Sequence, residues 1–175
     1  MPELLDLVTR TVELAAAEAE GGEAAEVFAS RGRRESVRAF RGEVESFTSA
    51  DTAGVGIRVI LGGRQGFAWA GSLDEAIIRE TLAEARDNMS FGEQDADNGL
   101  AEPDGLARPE LDLFDPEAAE FPTEAKVQLA LDLERAVLAR DARVRGVRSS
   151  SYSDFSGEQA IASTTGIRSW GRATT

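Results

Sequence analysis

Between Ala53 and Ala70 the chain leaves itself little freedom. Val55, Ile57, Val59 and Leu61 alternate with Gly54, Gly56, Arg58 and Ile60, the period-two pattern of a strand with one buried face. Gly62-Gly63 follows, and two glycines can both take positive φ, as a two-residue hairpin turn requires. A returning strand then runs from Gln65 to Ala70, with Phe67 and Trp69 on one face. A regular apolar face of this kind belongs at the centre of a fold and not in a mobile active-site loop.

Around this hairpin the pattern alternates between helix and strand. Leu4, Val8, Val12 and Ala15/Ala16 form one stripe of a helix over residues 3–20, ended by Gly21-Gly22. Two β-type runs are expected next: Ala25 to Arg31, with Val27 and Phe28 on opposite faces, and Glu35 to Phe47 around Val37, Phe40, Val44 and Phe47. Ser72-Leu73-Asp74-Glu75 reads as a capping box opening a helix to about Met89, with Ile77, Ile78, Leu82, Ala85 and Met89 inward. Residues 93–122 form an acidic surface linker. Its stretch from Glu93 to Glu120 holds ten acidic residues, one base (Arg108) and prolines at 103, 109 and 116. Leu111-Asp112-Leu113-Phe114 is expected to pin its far end. Thr123 can cap a second long helix to about Arg140, with Val127, Ala130, Leu131, Val137 and Leu138 inward. The tail is β-type: Val144 to Phe155, Gln159 to Thr164, and Ile167 onward, with turn signals at Gly157 and Gly166. This order predicts a single α+β domain over 1–175, with a mixed or antiparallel sheet and helices packed on one face. The final alternating run, uncapped at Thr175, suggests one domain of a longer protein.

Composition narrows the chemistry. The chain of 175 residues contains no histidine and no cysteine. Ser-His-Asp and Cys-His catalysis and zinc sites built on His or Cys are therefore excluded within it. Carboxylates, hydroxyls, arginines, Lys126 and Tyr152 remain. Only Lys126 is lysine; the other 18 bases are arginine. The formal net charge of −13 disfavours a phosphate-backbone partner. Arg31, Arg33, Arg34, Arg38 and Arg41 do cluster, but Glu35, Glu43 and Glu45 interleave with them, as on a solvated strand face. No run of apolar residues is long enough for a membrane span, and no secretory leader precedes the first helix, so the cytoplasm is the expected location.

The short motifs mostly dissolve on inspection. Gly54-Val55-Gly56 starts like a dinucleotide fingerprint, but Val59 occupies the third glycine's place and the glycines lie within a strand. A Walker loop is absent, since Lys126 follows alanine in a helix. Asp95-Ala96-Asp97-Asn98-Gly99 opens like a calcium loop, yet Leu100 and Leu106 stand where its glycine and glutamate belong. Glu43 and Glu45 share a strand face, like the carboxylate pair of a glycosidase, but edge-strand charges read more simply. Phe67, Trp69 and Trp170 could stack on a ligand; core packing or a domain interface is the commoner use.

Taken in order, several stretches resemble the N-terminal half of TldD/PmbA proteins. These are Gly42-Glu43-Val44-Glu45, Gly54-Val55-Gly56-Ile57-Arg58-Val59, Gly66-Phe67-Ala68, the linker Pro109-Glu110-Leu111-Asp112-Leu113-Phe114-Asp115-Pro116, Asp141-Ala142-Arg143-Val144 and Ala162-Ser163-Thr164-Thr165-Gly166. The linker is nearest the PmbA (TldE) branch. The resemblance implies a two-domain peptidase family acting on small or unfolded peptides, including microcin precursors, and once labelled a modulator of DNA gyrase. In it TldD carries a zinc-binding His-Glu-x-x-x-His helix and a later cysteine in its second half. PmbA lacks them and pairs with TldD as a heterodimer. No catalytic or metal residue of that family carries over to a position here, and its substrate-binding residues are left unassigned. The expected role is a non-catalytic scaffold and substrate clamp, its sheet edge holding an extended peptide, with a TldD-type subunit or a homo-oligomer as partner. The expected cofactor content of this chain is none. The alternatives are the N-terminal domain of a zinc-dependent TldD, a carboxylate hydrolase centred on Glu43 and Glu45, and a free-standing interaction module.

Overall fold

The computed structural model describes residues 2–19, 21–106, 109 and 111–175. Arg108 and Glu110 of the linker lie outside the described residues. The elements, in chain order, are α1 (Glu3–Glu18), β1 (Ala24–Phe40), β2 (Glu43–Leu61), β3 (Arg64–Ala70), α2 (Glu75–Met89), α3 (Pro116–Ala119), α4 (Thr123–Arg140), β4 (Ser150–Ser163) and β5 (Arg168–Thr174). The five strands form one sheet in the order β3-β2-β1-β4-β5.

The sheet is antiparallel. Two-residue turns join β1 to β2 and β2 to β3, which leaves no other geometry. The second hairpin is in the register expected, Leu61 opposite Arg64 and Val55 opposite Ala70, with φ of 59° at Gly62 and 77° at Gly63. Ala25 lies beside Thr164 and Arg31 beside Glu158, so β1 and β4 run oppositely. Ser163 bonds Ile167, and Phe155 exchanges both main-chain bonds with Thr175, so β4 and β5 do too. The fold is α+β.

Contacts divide the chain into two units: Met1–Arg31, Thr52–Leu111 and Glu158–Gly171, and Gly32–Asp51, Asp112–Gly157 and Arg172–Thr175. In the first, α1 and α2 pack on one face of the strands. Leu4, Val8, Val12 and Ala15 from α1 and Ile78, Leu82 and Ala85 from α2 meet Ala25, Val27, Ala29, Val55, Ile57, Val59 and Ala68. Gly66 makes the approach of α2 to β3 possible. A Cβ there would stand 1.9 Å from the Ala85 carbonyl oxygen and 2.4 Å from the Met89 nitrogen. In the second unit Val37 and Ala39 of β1 pack against Ala130 of α4, with Val127, Leu131 and Tyr152 at the margin.

Several local expectations are corrected. The run 35–47 is not one strand: Arg41 and Gly42 turn the chain at φ 55° and 79°, and β2 continues unbroken from Glu43 to Leu61. The run 25–31 is likewise only the first part of β1. Gly157 makes no turn but lies inside β4, and residues 144–149 are not strand. Ser72 does not form a capping box. Its hydroxyl accepts from the Asp74 amide at 3.1 Å, and α2 starts after Asp74 with no side-chain cap. Thr123 is the first residue of α4 and its hydroxyl turns to Glu35 instead. Val137 and Leu138 are largely exposed, not inward. The linker is held by side chains and main chain alike: Asn98 donates to the Gly63 carbonyl, Thr165 to the Ala101 carbonyl, and Arg172 lies 4.0 Å over the Phe114 ring. Asp95 donates its amide to the Gly63 carbonyl, and Leu113 accepts from Thr174, while Leu111 and Leu113 project outward.

Candidate functional site

The most buried charges of the second unit gather beneath α4. Lys126, 5% exposed, donates to Glu35 Oε2 and to Asp154 Oδ2, both at 2.7 Å. Ser49 Oγ donates to Glu35 Oε1 at 3.0 Å and Thr123 Oγ1 to Glu35 Oε2 at 3.3 Å; the Arg33 guanidinium lies 3.3 Å from Glu35. Tyr152 donates to Asp154 at 3.2 Å. Each remaining lone pair of Glu35 thus has a donor, the condition for tolerating buried charge. The Lys126 bond holds the Glu35 carboxyl below its usual range in spite of burial. Burial alone would lower the Lys126 ammonium, but the bonds to Asp154 and Glu35 outweigh it and hold it above its usual value. Burial, with the bond to Asp154, raises Tyr152. A catalytic lysine needs its proton held loosely and a general-acid glutamate needs a raised pKa. Both shifts here run the other way, so the cluster locks α4 to the sheet and is not poised for proton transfer.

Further along α4, Glu134 is buried and chelates the β1–β2 turn. Its Oε1 accepts from the Arg41 amide and its Oε2 from the Gly42 amide, each at 2.8 Å. The inward stripe of α4 is therefore Lys126, Ala130 and Glu134, four residues apart. Sequence reasoning missed it because apolar residues flank the stripe on both sides. The one available signal was Lys126 itself, the single lysine among 19 bases.

The residues singled out from the sequence are not brought together. Glu43 and Glu45 are both exposed, and Glu45 pairs with Arg38 at 2.8 Å. Arg31 bonds Glu158 and Glu3, Arg33 bonds Ser49 and lies near Asp51, Arg34 stacks over Phe155, and Arg41 over Phe40. Phe67 and Trp69 are not core. They are 52% and 71% exposed, on the face of β3 away from α2. Trp170 is partly buried, its indole N–H donating to Glu158 at 2.9 Å. Asp95 accepts from the Asp97 amide in a local turn. A zinc ion does not fit this chain. It has no imidazole or thiolate, and among the described residues no three acidic side chains converge.

What the second unit does offer is an open sheet edge. β3 pairs with residues 55–61 of β2 and stops at Ala70 opposite Val55. Among the described residues, the sheet order places no strand other than β3 on that side of β2. Residues 43–51 are extended, exposed along their whole length, and lie beyond β3. An extended chain laid there would find main-chain donors and acceptors at strand spacing.

Two comparisons of sequence agree with this architecture. Residues 25–88 match the PmbA/TldA metallopeptidase domain 1 and residues 116–175 match the PmbA/TldA metallopeptidase central domain. A metalloprotease PmbA homolog of Haemophilus influenzae is 29% identical over 167 residues, covering 94% of this chain and 36% of that protein. Among solved structures, TldE of Thermococcus kodakarensis superposes with a TM-score of 0.84 at 16% identity, over 96% of this chain and 37% of that one. A Thermotoga maritima protein named as a candidate modulator of a DNA gyrase gives 0.81 at 21%, over 97% and 37%. The chain thus spans a little over a third of each relative's length. With both family domains matched in order, the chain belongs to the PmbA/TldD metallopeptidase family.

Proposed function

We propose that this chain is the non-catalytic N-terminal scaffold and substrate clamp of a two-subunit peptidase, and that it belongs to the PmbA (TldE) branch. The observation that carries the clamp is the open β2 edge over 43–51. Strand addition uses main-chain bonds, so it accepts peptides of many sequences, which suits a peptidase of small or unfolded substrates. The names of the Haemophilus and Thermococcus relatives support the branch. In this reading the chain is the N-terminal part of a longer protein. Its partner is a zinc-bearing TldD-type subunit, and the assembly works in the cytoplasm. Among the described residues no helix is long and apolar enough to cross a membrane.

The test is peptide hydrolysis by this chain alone, by the full-length protein, and by the full-length protein with a zinc-bearing partner. Turnover is expected only in the third mixture, and Glu45→Gln should leave it intact. Hydrolysis by the chain alone, lost by at least ~10²-fold on Glu45→Gln, would replace the clamp with a carboxylate enzyme.

A further inference from the structure

We infer that the segment joining α4 to β4 is a docking surface for an acidic stretch of polypeptide, held by Arg140, Arg145 and Arg148. This surface uses no part of the β2 edge, so its failure would leave the clamp reading untouched.

What sets these three arginines apart is the lack of a partner. The chain has 32 acidic residues against 19 basic ones, so carboxylates are in excess. Every other described arginine has its side chain on a carboxylate, a main-chain carbonyl or an aromatic ring. Among the described residues no such group meets Arg140, Arg145 or Arg148, and all three are exposed. They fall together in residues 140–148, where the one acidic residue is Asp141.

The segment is fixed while its guanidinium groups stay in water. Its first turn closes on Asp141, whose carboxylate accepts from the Arg143 amide at 2.8 Å and whose carbonyl accepts from the Val144 amide at 2.9 Å. Val144 and Val147 are half-buried, whereas Arg145 and Arg148 are not. At the far end the Ser150 hydroxyl donates to the Ala130 carbonyl of α4 at 2.6 Å. A backbone tied down at both ends loses little freedom when a ligand arrives.

Asp141 also shows which ligand group fits. Arg143 grips it through Nε at 3.0 Å and Nη2 at 2.8 Å, the two-pronged arrangement that a guanidinium makes with a carboxylate. Arg140, Arg145 and Arg148 carry the same fork with no carboxylate in it. One exposed ion pair contributes little, so a lone carboxylate would not be retained. Several carboxylates in one short flexible segment would be, because each pair after the first forms within the same complex. Duplex DNA is the poorer occupant. It is stiff over far more than the width of this segment, and its phosphates would run on over a chain of net charge −13.

The test uses the whole chain and short fluorescent peptides, one a glutamate-serine repeat and the other its glutamine-serine counterpart. The glutamate-serine peptide should bind by anisotropy at about 0.05 M salt and weaken as salt is added. Affinity should fall at least about tenfold with the glutamine-serine peptide, and equally when Arg140→Gln, Arg145→Gln and Arg148→Gln are combined. Arg135→Gln removes an exposed arginine already paired with Asp132, and as the control it should change affinity by less than about twofold. Asp141→Asn keeps an oxygen for the Arg143 amide but releases its guanidinium, and should tighten binding about threefold. Circular dichroism confirms that the variants fold. No binding of the glutamate-serine peptide, or binding that survives loss of the three arginines, would overturn the docking surface. Tighter binding of a short DNA duplex than of the peptide at the same salt would overturn it in favour of a nucleic acid. Self-association of the chain, abolished by the same three substitutions, would overturn it in favour of a second copy.

Discussion

Replacing Lys126 by methionine keeps the volume under α4 but leaves Glu35 and Asp154 buried without their shared cation. Breaking a buried pair in this way costs on the order of 3–5 kcal/mol. The pH dependence gives the sharper test. Glu35 is held below its ordinary value, so its contribution is present above the unfolded carboxylate range and is lost as pH falls through the lowered folded value. Lys126 is held above its ordinary value, so its contribution is intact below the unfolded lysine value and is lost as pH rises through the raised folded one. Across neutral pH the intact cluster contributes a flat plateau. In Lys126→Met the Glu35 carboxyl loses the bond that lowers it and burial pushes it upward, so the variant should gain stability as pH falls from neutral toward the carboxylate range. Urea unfolding at several pH values checks this, and a variant that weakens on mild acidification contradicts it. Glu134→Ala is a second residue-scale case. It strips both turn amides of their acceptor and should cost about 1–3 kcal/mol, while Glu134→Gln, which keeps one carbonyl oxygen, should cost less.

At the scale of elements, the α2–β3 contact turns on the missing Cβ of Gly66. Gly66→Ala should cost at least ~1–3 kcal/mol, because the clash is with helix backbone that has nowhere to go. Gly71→Ala, with open space around its Cβ position, is the control and should be near neutral in thermal melts. Ile57→Ala, in the buried face of β2, should cost roughly 2–5 kcal/mol. The hairpin containing Ile57 was legible because its apolar alternation and its glycine turn are both local in the chain. The turn at Arg41-Gly42 was not. Alternation carries on through it, Arg41 is no turn former, and the group that fixes it is Glu134, 93 residues later in the chain than Arg41. The face of α4 was misread for a related reason. Val127, Leu131, Val137 and Leu138 span an arc wide enough to centre a buried stripe in more than one place. Only partners on β1, on β4 and in the β1–β2 turn reveal that Lys126 and Glu134 occupy it. The open edge of β2 was equally hidden, since it depends on where β3 stops.

For the molecule as a whole, charge decides which macromolecule can approach. A net charge of −13 and a sequence pI near 4.5 repel a phosphate backbone unless a basic patch stands free. The patch singled out from the sequence lies along β1 and its turn to β2, and its arginines are engaged. Arg31 is bonded to Glu3 and Glu158, Arg33 to Ser49 and Glu35, and Arg38 to Glu45. Arg34 and Arg41 lie over the rings of Phe155 and Phe40. Each phosphate contact to that patch would therefore have to displace an existing partner on an already anionic surface. The expected outcome is no retardation of duplex DNA at about 0.15 M salt, and any interaction seen at low salt should vanish as salt is added. Changing Glu43, Glu45 and Asp51 together to lysine frees Arg38 and reverses the sign of the edge. That variant should acquire measurable, salt-sensitive DNA binding. Tight binding of DNA by the unaltered chain, persisting at physiological salt, would show that charge and not the peptide edge had been misjudged.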